Sequence, residues 1–127
     1  MSFDVAWSYS LWTHLPYDKV AESLRRVRGV IADHGVFLAT YFECPEGADC
    51  DGPVRQPRGI TSFPDRDPWH YSQTDLARAA SDAGFRVAEF LGEWQAPAEQ
   101  KMAVFYALEP GELELEASRR RDVVRTI

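Results

Sequence analysis

Apolar and polar positions along the chain alternate between short unbroken apolar runs and longer stretches in which apolar residues return every third or fourth position. Phe3-Asp4-Val5-Ala6-Trp7-Ser8 is a brief run, apolar on both faces, which predicts a strand buried inside a parallel sheet. From about Tyr17 to Asp33, Val20, Leu24, Val27 and Ile31 form one stripe at helical spacing, with Arg25, Arg26 and Arg28 largely off it. Pro16 suits the first turn of that helix, and Gly35 reads as its left-handed stop. Val36 to Phe42 then forms a second buried strand, rich in β-branched and aromatic residues. Strand, helix and strand with short joints predict a right-handed parallel crossover.

The pattern then changes. Residues 43–69 hold five prolines and three glycines with few apolar anchors, a long variable loop of the kind that usually carries function or disorder. A second helix is predicted from Gln73 to Ala83, with Ser72 and Asp75 as a capping pair, Leu76, Ala79, Ala80 and Ala83 as the buried stripe, and Gly84 as the stop. Phe85 to Leu91 and Met102 to Leu108 are two further strands, joined through residues 92–97 as a hairpin. The segment 109–127 is a charged tail, acidic and then basic, an order that complements a helix dipole. The chain reads as one α/β domain over residues 1–108 followed by that tail.

Composition removes several function classes. The chain has 127 residues, 45% hydrophobic and 27% charged, which suits a single globular domain. A net charge of −6 argues against nucleic acid as a partner, because phosphate neutralisation needs clustered Lys and Arg. No run of about 18 apolar residues offers a membrane span. Two cysteines, Cys44 and Cys50, are too few for a disulfide framework, so a reducing cytoplasm is the default location. Their spacing matches no common zinc pattern, and no metal site is expected.

An ordered series of short motifs carries a family resemblance. Phe3-Asp4-Val5 opens a strand, Thr13-His14-Leu15 leads into a helix, and Gly35-Val36-Phe37-Leu38 opens the next strand. His70-Tyr71-Ser72 precedes the second helix; Ala83-Gly84-Phe85-Arg86-Val87 and Gly92 with Trp94 before Gln100-Lys101-Met102 follow. Read together, residues 3–108 resemble the C-terminal half of a class I S-adenosylmethionine (SAM)-dependent methyltransferase domain. The resemblance implies half of a Rossmann-like sheet: two parallel strands plus a C-terminal hairpin, flanked by helices. It also implies that the family's Gly-rich cofactor turn belongs to a part not represented here. The glycines of this chain form no G-x-G-x-x-G after a strand, so the chain alone is expected to bind SAM poorly.

The candidate site residues follow from that resemblance. Ser8, Tyr9 and Ser10 lie just past the carboxyl end of a parallel strand, where open α/β sheets bind ligands, and in the family this turn borders the cofactor. The competing reading is a polar turn that caps the first helix. His14 is the first candidate for a general base acting on an O–H or N–H nucleophile, and His70 the second. Trp12, Tyr41 and Tyr71 are candidates for the substrate side, with core packing as the alternative for the aromatics.

Two functions remain open. The chain is part of a methyltransferase that acts on a small molecule once a complementary half is supplied, or it is a methyltransferase-derived binding module. The second reading rests on the first strand, whose free edge invites pairing with another copy into a homodimer, so a stable free monomer is not expected.

Overall fold

The computed structural model describes residues 2–92 and 100–112. Among these residues seven strands and two complete α-helices run in the order β1 (Phe3–Ser8), α1 (Tyr17–Arg28), β2 (Ile31–Glu43), β3 (Val54–Arg55), β4 (Thr61–Ser62), β5 (His70–Tyr71), α2 (Gln73–Ala83), β6 (Phe85–Leu91) and β7 (Lys101–Ala107). The main sheet has the order β1-β2-β7-β6, with β5 added beside the end of β2. β1 and β2 are parallel and joined through α1, whereas β7 runs antiparallel to both β2 and β6. Two parallel strands and a C-terminal hairpin are therefore present as expected.

α2 is built locally. The Ser72 side chain accepts a hydrogen bond from the Asp75 backbone N–H at 3.1 Å, satisfying one of the free donors of the first turn. Gly84 ends the helix at φ 94°, a left-handed conformation that suits a residue without Cβ. The N-terminal half departs from the predicted pattern. α1 stops at Arg28, not near Asp33, and Ile31 already belongs to β2. β2 then carries an insertion: Phe3 pairs with Ile31, but Val5 pairs with Val36. His34 takes a positive φ of 65° inside this insertion. Gly35 is a close-approach position rather than a helix stop, since a Cβ there would lie 2.8 Å from the Ala32 carbonyl oxygen and 3.0 Å from that of Asp4. Arg28, expected on a solvated face, donates to the Ile31 carbonyl at 3.1 Å and the Leu108 carbonyl at 2.7 Å, tying the crossover to the end of β7.

Both helices cover one face of the sheet. Phe37, Ala39 and Tyr41 of β2, Ala103, Phe105 and Ala107 of β7, and Phe85 of β6 are buried against Val20, Leu24, Leu76 and Ala80. Trp12 fills the centre, its ring 5.9 Å from that of Phe37 and 5.6 Å from that of Phe105. Strand alternation sends Val36, Leu38 and Val104 to the opposite face, where Val5 pairs with Val36 and Trp7 with Leu38. β1 is consequently not buried as its sequence predicts: Phe3 is 53%, Val5 61% and Trp7 75% exposed.

The long segment after β2 is more ordered than its composition suggests. β3 and β4 pair as a small antiparallel hairpin, and Cys44 is joined to Cys50 by a disulfide that the cysteine spacing did not predict. The expected loop at 92–97 falls outside the described residues apart from Gly92. So do Trp94 and residues 113–127 of the charged tail.

Candidate functional site at the carboxyl end of the parallel strands

The β1 exit is a polar turn: Ser8, Ser10 and Thr13 interrupt the apolar run, and Ser10 and Thr13 are hydrogen-bonded there, whereas Ser8 Oγ is buried with no partner among the described residues. Ser10 adopts a positive φ of 60°, and its N–H donates to Thr40 Oγ1 of β2 at 2.6 Å. The Thr13 hydroxyl reaches back to the Ser10 carbonyl at 3.4 Å. Gln100, at the entry to β7, donates from Nε2 to Ser10 Oγ at 3.0 Å. Two residues distant in sequence, Thr40 and Gln100, thus converge on Ser10 beside its neighbour Thr13. Sequence reasoning missed Thr40 and Gln100; Thr40 lay inside the predicted second strand, but nothing local marked it as polar support for the turn.

A 3-10 turn at Trp12–His14 then presents His14 at the surface, with the Trp12 indole N–H donating to Ser23 Oγ at 3.1 Å beneath it. His14 Nδ1 lies 2.8 Å from Oδ2 and 3.1 Å from Oδ1 of Asp67. A carboxylate only accepts, so Nδ1 carries the hydrogen and the neutral ring has its lone pair at Nε2. Asp67 is delivered by the loop that precedes β5. The Trp69 N–H donates to the Thr13 carbonyl at 2.8 Å and the Phe63 N–H to the Pro68 carbonyl at 2.8 Å, so the loop docks on the same turn. Asp67 lies in the segment that the sequence marks only as a variable loop, and it stands 53 positions from His14, so no local spacing could reveal the pair.

His70 sits elsewhere in character. It is buried, with Nε2 donating to the Cys50 carbonyl at 2.9 Å and Nδ1 2.9 Å from Ser62 Oγ. Gln56 completes this network by donating to Ser62 Oγ at 3.0 Å and to the Glu43 carbonyl at 2.8 Å. Tyr71 is also buried; its hydroxyl donates to the Leu15 carbonyl, and its ring is 6.4 Å from that of Tyr17. Burial pushes its phenol above the usual range, so it remains a donor. Tyr41 is buried and donates to Glu43 Oε1 at 2.8 Å; burial, reinforced by the Glu43 charge, raises its phenol as well. Trp12, Tyr41 and Tyr71 thus all have their rings in or against the core.

Glu43 closes the carboxyl end of β2. Burial pushes its carboxyl up, but hydrogen bonds from Gln73, Tyr41 and Lys101, with the Lys101 charge, outweigh burial and hold it below its ordinary value. Gln73 Nε2 lies 2.8 Å from Oε1 and Lys101 Nζ 3.1 Å from Oε2. Two open clefts flank this end of the sheet. One, of about 240 Å³, is lined by Tyr17, Asp51, His70, Tyr71 and Arg78; the other, of about 360 Å³, by Glu43, Cys44, Glu46, Cys50 and Gln73.

No family model matches the sequence, and no curated protein does. Solved structures do share its fold. PhzM, a pyocyanin biosynthetic protein, is 15% identical and superposes with a TM-score of 0.60, covering 84% of this chain and 31% of its own. An O-methyltransferase family 2 protein from Planctomyces limnophilus, in complex with apigenin, is 10% identical with a TM-score of 0.61, covering 83% and 31%. CalO1, a methyltransferase in calicheamicin biosynthesis in its SAH-bound form, is 20% identical with a TM-score of 0.61, covering 82% and 30%. The fold is that of a partial methyltransferase domain. This partial domain spans about a third of the length of those neighbours, which share its fold at identities too low to carry residue roles across.

Proposed function

We propose that the chain is the substrate-side part of a SAM-dependent methyltransferase acting on a small molecule with an O–H or N–H nucleophile. The observation that carries this reading is the His14–Asp67 pair beside the carboxyl end of β1. Asp67 fixes the tautomer and leaves Nε2 of His14 able to take the proton of a nucleophile placed against it. His14 is preferred to His70 because both ring nitrogens of His70 already have partners inside the fold. Ser8, Tyr9 and Ser10 border the cofactor side in this assignment, and Trp12, Tyr41 and Tyr71 support the acceptor side from the core.

When bound, SAM supplies the electrophilic methyl group. The residues present do not fit a self-sufficient SAM site: no Gly-rich turn follows a strand, and the side of β1 away from β2 has no neighbouring strand among the described residues. In this reading activity requires further polypeptide beside β1, from the same protein or from another. The second reading is a binding module that dimerises through β1, favoured by the exposure of Phe3, Val5 and Trp7.

Calorimetry with SAM separates the two. No binding by the purified chain, with binding and methyl transfer gained on co-expression with a polypeptide carrying a strand and a Gly-rich turn, is expected of a split enzyme. In that complemented protein His14→Ala should lower turnover by about 10²- to 10⁴-fold, as for loss of a general base. Tight SAM binding by the chain alone contradicts the incomplete site, and full turnover in His14→Ala contradicts the base.

A further inference from the structure

At the amino end of β2, away from the candidate site, three side chains meet that the sequence keeps far apart. His34 belongs to the insertion in β2, and Glu109 and Glu112 follow the end of β7. Nε2 of His34 lies 3.6 Å from Glu109 Oε2 and 3.3 Å from Glu112 Oε1, and one donor atom from each of the three residues falls within 4.8 Å of the others. The second ring nitrogen, Nδ1, is hydrogen-bonded to the Tyr106 hydroxyl. That contact follows from register, because Val36 pairs with Tyr106 across β2 and β7. Arg28 ties the same corner together through the Ile31 and Leu108 carbonyls. The fold therefore aims Nε2 at two carboxylates.

The simplest account is an exposed ion pair, with an imidazolium between two glutamates. Its geometry does not fit. A charge-assisted N–H···O bond closes to about 2.7–2.9 Å, and both distances here are longer. Donor atoms around a tetrahedral ion with bonds of about 2.0–2.2 Å stand about 3.3–3.6 Å apart, which is the spacing observed. A neutral ring with two carboxylates also leaves two negative charges, which a divalent cation cancels and an imidazolium only halves. The nearby guanidinium groups are otherwise engaged: Arg28 pairs with Asp33, and Arg86 lies over the Tyr106 ring at 5.5 Å.

We propose that His34, Glu109 and Glu112 bind a divalent cation of the zinc class, with water completing the coordination. The imidazole nitrogen selects such an ion over Mg²⁺ or Ca²⁺, which take oxygen donors. In the bound state Nδ1 carries the hydrogen and donates to the Tyr106 hydroxyl oxygen, which holds the ring in place. The ion joins the chain after β7 to the β2 insertion. It lies at the opposite end of β2 from Thr40, so its role is structural and independent of methyl transfer.

The test uses the full chain, stripped of metal with a chelator and dialysed, with zinc chloride as the probe. Calorimetry is expected to show saturable one-to-one binding, and Zn²⁺ should raise the melting temperature; Mg²⁺ at the same concentration should do neither. Long-range ¹H–¹⁵N spectra should show Zn²⁺ shifting His34 Nε2 at lower concentration than the rings of the other two histidines. His34 holds a positive φ of 65°, which Asn tolerates, so His34→Asn keeps the insertion and removes the ligand. It should weaken binding by about tenfold or more, since losing a group that merely orients a ligand costs about 10- to 100-fold. Glu109→Gln, at an exposed side chain, should do the same even where His34→Asn fails to fold. No binding, a His34 ring undisturbed at saturating Zn²⁺, or wild-type affinity in Glu109→Gln overturns the site. Equal binding of Mg²⁺ overturns the class of ion.

Discussion

Glu43 is where burial and charge meet most sharply. Its carboxyl lies below the ordinary 4.5 because three donors outweigh its burial. A carboxyl lowered on folding stabilises the native state above its unfolded pKa, and that contribution is lost as pH falls through the folded value. Chemical denaturation as a function of pH should therefore show stability falling below about pH 4.5, and Glu43→Gln should flatten that limb. At neutral pH the same substitution should cost about 1–3 kcal/mol, since Lys101 and Tyr41 lose a charged acceptor. An unchanged acid limb in Glu43→Gln excludes this account. Glu43 was the first residue of a predicted loop, and its partners Gln73 and Lys101 lie 30 and 58 positions away by the numbering. The same distance problem hid Asp67 from His14. Histidines and aromatics declare chemistry by type, but a carboxylate that orients one of them becomes visible only when the chain brings it there.

Elements whose determinants are local were legible, and those set by pairing were not. α2 was read to the residue because its cap, its stripe and its stop lie within one segment. Ser72→Ala should accordingly cost about 1 kcal/mol, seen as a lowered melting temperature, because the Asp75 N–H then lacks its acceptor. A melting temperature equal to wild type shows that the cap contributes nothing. The end of α1 was misplaced for the opposite reason. Ile31 continues the helical spacing of Val20, Leu24 and Val27, yet its place is decided by pairing with Phe3. The insertion at residues 32–35 reconciles two registers, and only Gly35 fits the approach to Asp4. Likewise the segment 43–69 was read as a loop from its prolines and glycines. The Cys44–Cys50 disulfide and the Gln56–Ser62–His70 network order part of it through contacts with no periodic signal.

At the scale of the whole molecule, the two helices cover one face of the sheet, and on the other face Val36, Leu38 and Val104 are half-buried beside the exposed residues of β1. The register aligns Val5 with Val36, and Trp7 with Leu38 and then Val104, so the exposed apolar residues of β1 continue into the sheet. A parallel strand is stable when both its faces are covered, and an edge with free N–H and C=O groups recruits another strand. Both readings of the function therefore place a polypeptide against β1; they differ in whether it is a complement or a second copy. A second copy pairs antiparallel about a two-fold axis, so each β1 contacts the other and a single charge enters the interface twice. Sedimentation of the purified chain at micromolar concentration should show a dimer, and Trp7→Lys should return a monomer with the melting profile of the isolated fold. A folded wild-type monomer rules out the second copy and leaves the complement, whose binding Trp7→Lys should also weaken. A wild-type dimer that Trp7→Lys does not disturb excludes β1 as the contact in either case.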